Sequence, residues 1–297
     1  MLGLDLQDTA AAALAIDGAG RVLARAEHPH RGDVAGAALA ALEAVTRSVA
    51  TPLSAAGIAS ALPELPAHAA AAAAIGKRYP GPFLKDGIMA AGTAAAVAEA
   101  WVGAAAGALD VVYFAAGDHM VAGLIARGQP WLGAHGRAGA AAWLALNPVE
   151  REDYRKHGCL EAEVAAGGIV RRLVWRVKAG DRSRVQDAAN GDLASITVDM
   201  VLDAARAGDG VSISVMRDTA KYLGMAAANL VTTADPEVLV LGGIMASAAD
   251  LLFEPVRTEL ARRLSPATNA GLRIVPAALG SDAAAIGAAR QATAALQ

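Results

Sequence analysis

The chain has a single cysteine, Cys159, and only three phenylalanines, four tyrosines and four tryptophans in 297 residues. One thiol excludes an internal disulfide and fits a reducing compartment, so a cytoplasmic location is expected. Long apolar runs are missing too: no uninterrupted stretch of about 18 apolar residues occurs. The first apolar run carries Asp5 and Asp8 with no basic residue before it, so neither an export signal nor a membrane span is expected. No block of lysine or arginine stands out, and a formal net charge of -3 provides no general field for nucleic acid.

What the chain does have is alanine and apolar content. At 55% hydrophobic and 19% charged residues it can bury a large core, and its length favours two lobes over one small domain. Alanine runs such as 69–74 favour helix and closely spaced packing.

Short apolar segments at 2–6, 10–16 and 21–26 are separated by Gln7-Asp8 and by the turn-rich Asp17-Gly18-Ala19-Gly20, which predicts an antiparallel start. Asp33 is placed to cap a helix over 34–49, a buried strand follows at 54–59, and Pro63 and Pro66 break the chain before a helix at 66–78. A short strand at 87–90 and an alanine-based helix at 93–106 close the first lobe. A second pair of strands, 111–115 and 121–127, surrounds the turn Gly117-Asp118-His119-Met120 and repeats the opening pattern. Helices are expected around 161–177, 197–207, 217–233, 248–264 and 282–296, with strands at 238–241 and 273–276. The pattern predicts an internal duplication, with an N-terminal α/β lobe at 1–109 joined by the helix 282–297 and a C-terminal α/β lobe at 110–281. Duplicated lobes of this kind are expected to leave a ligand cleft.

The last third carries the most specific pattern: Asn229-Leu230, Asp235-Pro236-Glu237, Leu241-Gly242-Gly243, and Leu279-Gly280 followed by Ile286-Gly287-Ala288-Ala289. In residue and spacing this is similar to the ROK family of repressors, open reading frames and sugar kinases. The resemblance implies a duplicated, two-lobed actin-like (ribonuclease-H-like) ATPase and sugar-kinase fold of the α/β class. It also implies ATP-dependent phosphorylation of a hexose or amino-hexose, and a homodimer. Family repressors carry a DNA-binding segment ahead of the first strand, which here starts at residue 2, so the repressor branch is not expected.

Position by position, the chain departs from that pattern. The family's first phosphate turn resembles Asp-x-Gly-Gly-Thr-Lys; Asp5 and Thr9 keep it, while Gln7 and Asp8 replace both glycines. Glycine lets backbone N–H groups approach a phosphate. Asp8 adds instead a like charge, a repulsion of about 4 kcal/mol for unit charges about 4 Å apart at an effective dielectric near 20. In the second turn, Gly117-Asp118-His119-Met120-Val121-Ala122-Gly123, only the outer glycines remain, and His119 reads either as a solvated turn residue or as a ligand contact. The family's catalytic aspartate falls at Ala91, ahead of Ala98-Glu99-Ala100-Trp101, so the general base is missing; Asp86 is a poor substitute. At the sugar-contacting segment, Gly139 is followed by Ala140, Ala141, Ala142 and Trp143, and the cysteine-cluster positions hold Glu152 and Tyr154. Only Gly158-Cys159-Leu160-Glu161 survives there, too few ligands for tetrahedral zinc, so no structural metal is expected. Glu161 carries over as a sugar-facing residue or as a solvated helix-start glutamate. Between Gly57 and Ala91 the chain is shorter than the family pattern, with Leu62-Pro63-Glu64-Leu65-Pro66 bridging the gap.

The leading expectation is a catalytically degenerate sugar-kinase homologue, a pseudokinase that needs no cofactor. It would bind a small, sugar-like molecule or act as a dimeric interaction protein. Mg-ATP is disfavoured, although Gly242 and Gly243 fit an adenosine wall. One alternative is an enzyme of another reaction class built in the interlobe cleft from Asp5, Asp8, Asp118, His119 and His135. The other is an ATP-dependent hexose or amino-hexose kinase.

Overall fold

A computed structural model of the chain describes residues 1–49, 55–79 and 87–294. Asp86, the first residue of the strand expected at 54–59 and the last residues of the closing helix lie outside them. In chain order the elements begin with β1 (Leu2–Leu6), β2 (Ala10–Ile16), β3 (Val22–Pro29), α1 (Val34–Ser48), β4 (Ala56–Ser60), α2 (Pro66–Arg78), β5 (Met89–Ala90) and α3 (Ala91–Val102). The second series runs β6 (Val111–Ala116), β7 (Met120–Ala126), β8 (Gln129–Pro130), α4 (Glu152–His157), α5 (Cys159–Val164), α6 (Ala166–Lys178), α7 (Arg184–Ala188), α8 (Val198–Arg206) and α9 (Gly210–Ala234). It closes with β9 (Val238–Gly243), α10 (Ile244–Ser247), α11 (Ala249–Ala261), α12 (Pro266–Gly271), β10 (Arg273–Pro276) and α13 (Ala283–Ala294). The two sheets have the orders β3-β2-β1-β4-β5 and β10-β9-β6-β7-β8. No helix among the described residues is long and apolar enough to cross a membrane.

The chain divides into two compact units: Met1–Tyr113 with Ala122–Gly139 and the stretch from Ala277, and Phe114–Val121 with Ala140–Pro276. In the first, β1 pairs antiparallel with β2 and parallel with β4. The Asp33 carboxylate caps α1 by accepting from Gly36 N at 2.9 Å, which satisfies one orphan donor of the first turn. Leu2, Leu4 and Leu6 alternate along β1 and pack with Ala38, Leu42 and Val45 of α1 and Ile75 of α2. Each such leucine contributes roughly 1.5–3 kcal/mol relative to exposure. On another cluster Leu14 and Ile16 of β2 meet Ala98 of α3 and Ile286 of α13. A Cβ at Gly3 or Gly57 would run into the carbonyls of Ala285 and Ala288, so glycine is what lets the α13 backbone lie directly on β1 and β4.

In the second unit α9 packs against α11, α8, α6 and α5. Asp209 caps it by accepting from Ser212 N at 2.9 Å, which starts the helix at Gly210 instead of the expected 217.

Other boundaries move for identifiable reasons. α3 stops at Val102, short of 106, because the buried Glu99 carboxylate turns back on the chain. Its Oε2 accepts from Ala104 N at 2.7 Å, and Oε1 accepts from Ala278 N and Leu279 N at 3.0 Å each. The helix expected at 161–177 breaks at Ala165, which is extended, and Ala166 N donates to Gly117 O at 2.8 Å. The helix expected at 248–264 is α11, which ends at Ala261, and the separate turn α10 precedes it.

Candidate functional site

In the first unit Asp5 sits near the end of β1, paired in register with Ala12 and Ala59. It is buried, accepts from Gln7 Nε2 at 3.0 Å, and desolvation pushes its carboxyl up to about 6. The following turn is closed by Gln7 N donating to Ala10 O at 3.0 Å. His30 braces it: His30 N donates to Thr9 O at 2.7 Å, and His30 Nε2 lies 3.0 Å from Gln7 O. Asp8 and Thr9 are exposed at its tip. The bracing by His30 was not legible in the sequence, since 23 residues separate it from Gln7 and no periodicity links them.

Ala91 is the first residue of α3, half-buried, and Ala90 offers no side-chain cap. The start of that helix rests on β7, because a Cβ at Gly92 would meet the Ala122 backbone and one at Gly123 would meet the Gly92 carbonyl. Gly123, one of the two outer glycines kept in the second turn, is thus required by packing. Burial raises the Tyr113 hydroxyl pKa above its ordinary value, and the carboxylates of Glu99 and Asp5 push it further in the same direction. His135 is exposed in the loop after β8.

In the second unit the β6–β7 hairpin presents His119 to the first turn of α5. His119 Nδ1 lies 3.2 Å from Glu161 Oε1, and Met120 N donates to Glu161 Oε2 at 3.0 Å. The two side chains are 18% and 11% exposed, so the pair is held by the protein yet reachable from solvent. Asp118 is exposed beside them in the turn. Glu161 is placed by Gly158, whose φ of 88° turns the chain between α4 and α5 and whose missing Cβ makes room for the Ala142 carbonyl. Gly242 is buried at the end of β9; Gly243, at φ 60°, lies against the Ala116 carbonyl where a Cβ would not fit.

These placements fall on a sequence that a model of the ROK family matches over residues 89–295. The chain belongs to the ROK family. A glucokinase of Halalkalibacterium halodurans is 33% identical over 196 residues, 65% of this chain and 59% of that protein. A xylose repressor of Caldicellulosiruptor bescii is 28% identical over 198 residues, 65% of this chain and 48% of its own length. The chain thus matches about half to three-fifths of the length of these curated relatives. A ROK family glucokinase from Streptomyces griseus, solved with glucose and AMPPNP, superposes with a TM-score of 0.84 at 23% identity, covering 99% of both chains. The fold is the actin-like α/β fold of ROK sugar kinases.

The residues that the resemblance places at the family's cysteine cluster do not fit zinc. Glu152 is exposed and bonded to Lys156 at 2.7 Å. The Tyr154 hydroxyl donates to buried Glu163, and Cys159 packs among Tyr154 and Ala162. Among the described residues no group of three or more His, Cys, Asp or Glu side chains is arranged to hold a metal ion. Tyr154 instead anchors a polar cluster in which Arg151 Nη1 donates to Glu163 Oε1 at 3.2 Å. Burial, then the hydrogen bond to Glu163, pushes the Tyr154 hydroxyl pKa upward. The role of Glu163 was not legible in the sequence.

Proposed function

We propose that this chain is a catalytically degenerate ROK sugar-kinase homologue that binds a small, sugar-like molecule and does not transfer phosphate, working as a homodimer. The observation that carries this reading is Ala91 at the first position of α3, where the resemblance puts the family's general base. A methyl group accepts no proton from a sugar hydroxyl, and the loss of a general base is worth roughly a hundred- to ten-thousand-fold in rate. The first turn supports the same reading: Gln7 spends its amide on Asp5 and its N–H on Ala10 O. Neither group is then available to a phosphate oxygen, and Asp8 adds negative charge. The groups present do not fit a triphosphate.

The binding half of the proposal rests on His119 and Glu161. Each carboxylate oxygen of Glu161 accepts one protein donor and keeps lone-pair capacity for a hydroxyl, which suits a polyol such as a sugar.

The test is ADP release with Mg-ATP across a panel of hexoses and amino-hexoses, run beside thermal shift with the same sugars. No turnover with a saturable upward shift for at least one sugar is expected. Sugar-dependent ADP release would overturn the reading in favour of an active hexose kinase, the activity named for the Halalkalibacterium relative. A second reading, acid–base catalysis of another class, is favoured by the carboxylate-held imidazole of His119. It predicts chemical change in a bound sugar without nucleotide, seen by NMR of the incubated mixture.

A further inference from the structure

The helices α6 and α9 leave a pocket of about 670 Å³ in the second unit, and the sequence of the two helices explains its character. Ile169, Leu173 and Val177 form the buried stripe of α6, which sets Arg172 and Arg176 one position off it. On α9, Val215, Thr219 and Leu223 are buried in the same way, with Asp218 and Tyr222 beside them. The pocket is therefore walled by the polar shoulders of two amphipathic helices.

Its charges do not balance. Four cationic side chains, those of Arg151, Arg172, Arg176 and Lys221, line it against two carboxylates, Glu163 and Asp218. Glu163 is taken by Arg151 and Tyr154, Asp218 by Lys221 at 3.5 Å, and Arg176 by Asp181. Arg172 is left with a hydroxyl: its Nη2 donates to Thr219 Oγ1, and its Nε is buried with no acceptor among the described residues. The neighbouring Arg171 also has an unbonded Nε, but its charge is met by Asp153 and its Nη2 by the Ala162 carbonyl. Among the described residues lining the pocket, Arg172 is the cation with no carboxylate in direct contact: Glu163 and Asp218 act on it only at longer range, and burial desolvates its guanidinium. A guanidinium in that state is made for a planar or tetrahedral oxyanion.

The remaining walls suit what such an anion would be attached to. Trp175 is held by Arg171 at 5.0 Å and Arg151 at 5.8 Å from its ring, and it is 45% exposed. Tyr222 and the apolar Val215 and Met225 complete that side. We propose that this pocket binds a small anion, a carboxylate or phosphate carried on an apolar or aromatic body, with Arg172 as the anion receptor and Trp175 and Tyr222 against the body.

α5 connects this pocket with the His119–Glu161 pair. Glu161 and Glu163 are two positions apart, about 200° around a helix, so one meets the hairpin and the other faces the pocket. The proposal nevertheless stands on other residues than the sugar-like site, and failure of either leaves the other untouched.

Calorimetry and tryptophan fluorescence with phenyl phosphate, benzoate and inorganic phosphate test it. Saturable binding of phenyl phosphate or benzoate is expected with a Kd of about 1 mM or tighter. The tighter of the two identifies the head group, and inorganic phosphate should bind more weakly than phenyl phosphate. Arg172→Met keeps the apolar stem and should weaken binding at least about tenfold. Asp218→Asn removes a competing carboxylate and should tighten it by about three- to tenfold, a gain that a misfolded variant does not produce. No saturable signal with any probe up to about 10 mM overturns the proposal. So does equal affinity in the parent and Arg172→Met.

Discussion

The Glu161 carboxylate is shared between a side chain and the main chain: His119 Nδ1 stands 3.2 Å from Oε1, and the Met120 N–H donates to Oε2 at 3.0 Å. The pair ties a hairpin to a helix across 42 residues. Glu161→Gln keeps the shape but turns one acceptor into a donor, so a loss of about 1–2 kcal/mol in urea unfolding is expected, with loss of the sugar-induced thermal shift. A double-mutant cycle with His119→Ala should give a coupling above about 0.5 kcal/mol. Additivity of the two changes would mean the contact carries no energy.

Asp5 makes the fold sensitive to pH. Its carboxyl is raised to about 6 by burial, so between that value and the ordinary carboxylate range the folded chain holds a proton that the unfolded chain has lost. Stability therefore falls as pH rises through about 4 to 6, and the cost is complete above that window. Asp5→Asn keeps an acceptor for Gln7 and removes the ionisation. It is expected to raise stability by about 1–3 kcal/mol at pH 7.5, with the gain vanishing at or below about pH 4. An unchanged pH profile in chemical denaturation would show that Asp5 is not the group responsible.

On the proposed reading, Ala91→Asp should fold well and show no ADP release. The position is half-buried at the first turn of α3, where a carboxylate meets the positive end of the helix and gains about 0.3–1 kcal/mol. The turn that carries Gln7 and Asp8 stays as it is, so ADP release is not expected. Turnover in this single variant would show that Gln7 and Asp8 tolerate a triphosphate.

The Tyr154 hydroxyl links α4 to α5 through Glu163. Its hydroxyl donates to Glu163, which is 3% exposed, so Tyr154→Phe leaves a buried carboxylate short of a donor. A loss of about 1–3 kcal/mol is expected. Treatment with phenanthroline should leave Tm unchanged and elemental analysis should find no zinc. A chelator-induced fall in Tm would show that a bound metal supports the fold.

Much of the fold was legible because its rules are local. Helix α2 spans 66–78 as expected, since Pro66 both blocks the preceding helix position and suits the first turn. Asp33 caps α1 as read, and the turn at 17–20 joins β2 and β3. Boundaries differ from the local pattern where a distant group intervenes: Glu99 ends α3 by reaching Ala278 and Leu279, some 180 residues away. The site was legible residue by residue only. Glu161 and His119 were each singled out, but nothing in the spacing joined them, and neither Glu163 nor Arg172 carried a signal in the sequence.

By itself the sequence determined the family and the order of the elements, because propensity, capping and motif spacing act within a few residues of chain. Tertiary structure alone decided which polar groups share a partner. Glu161 is shared by His119 and Met120, Tyr154 bonds Glu163, and Arg172 bonds Thr219 with no carboxylate in direct contact among the described residues. Those outcomes depend on how packed helices bring distant side chains within about 3 Å, a distance to which hydrogen bonding is sensitive and sequence spacing is not.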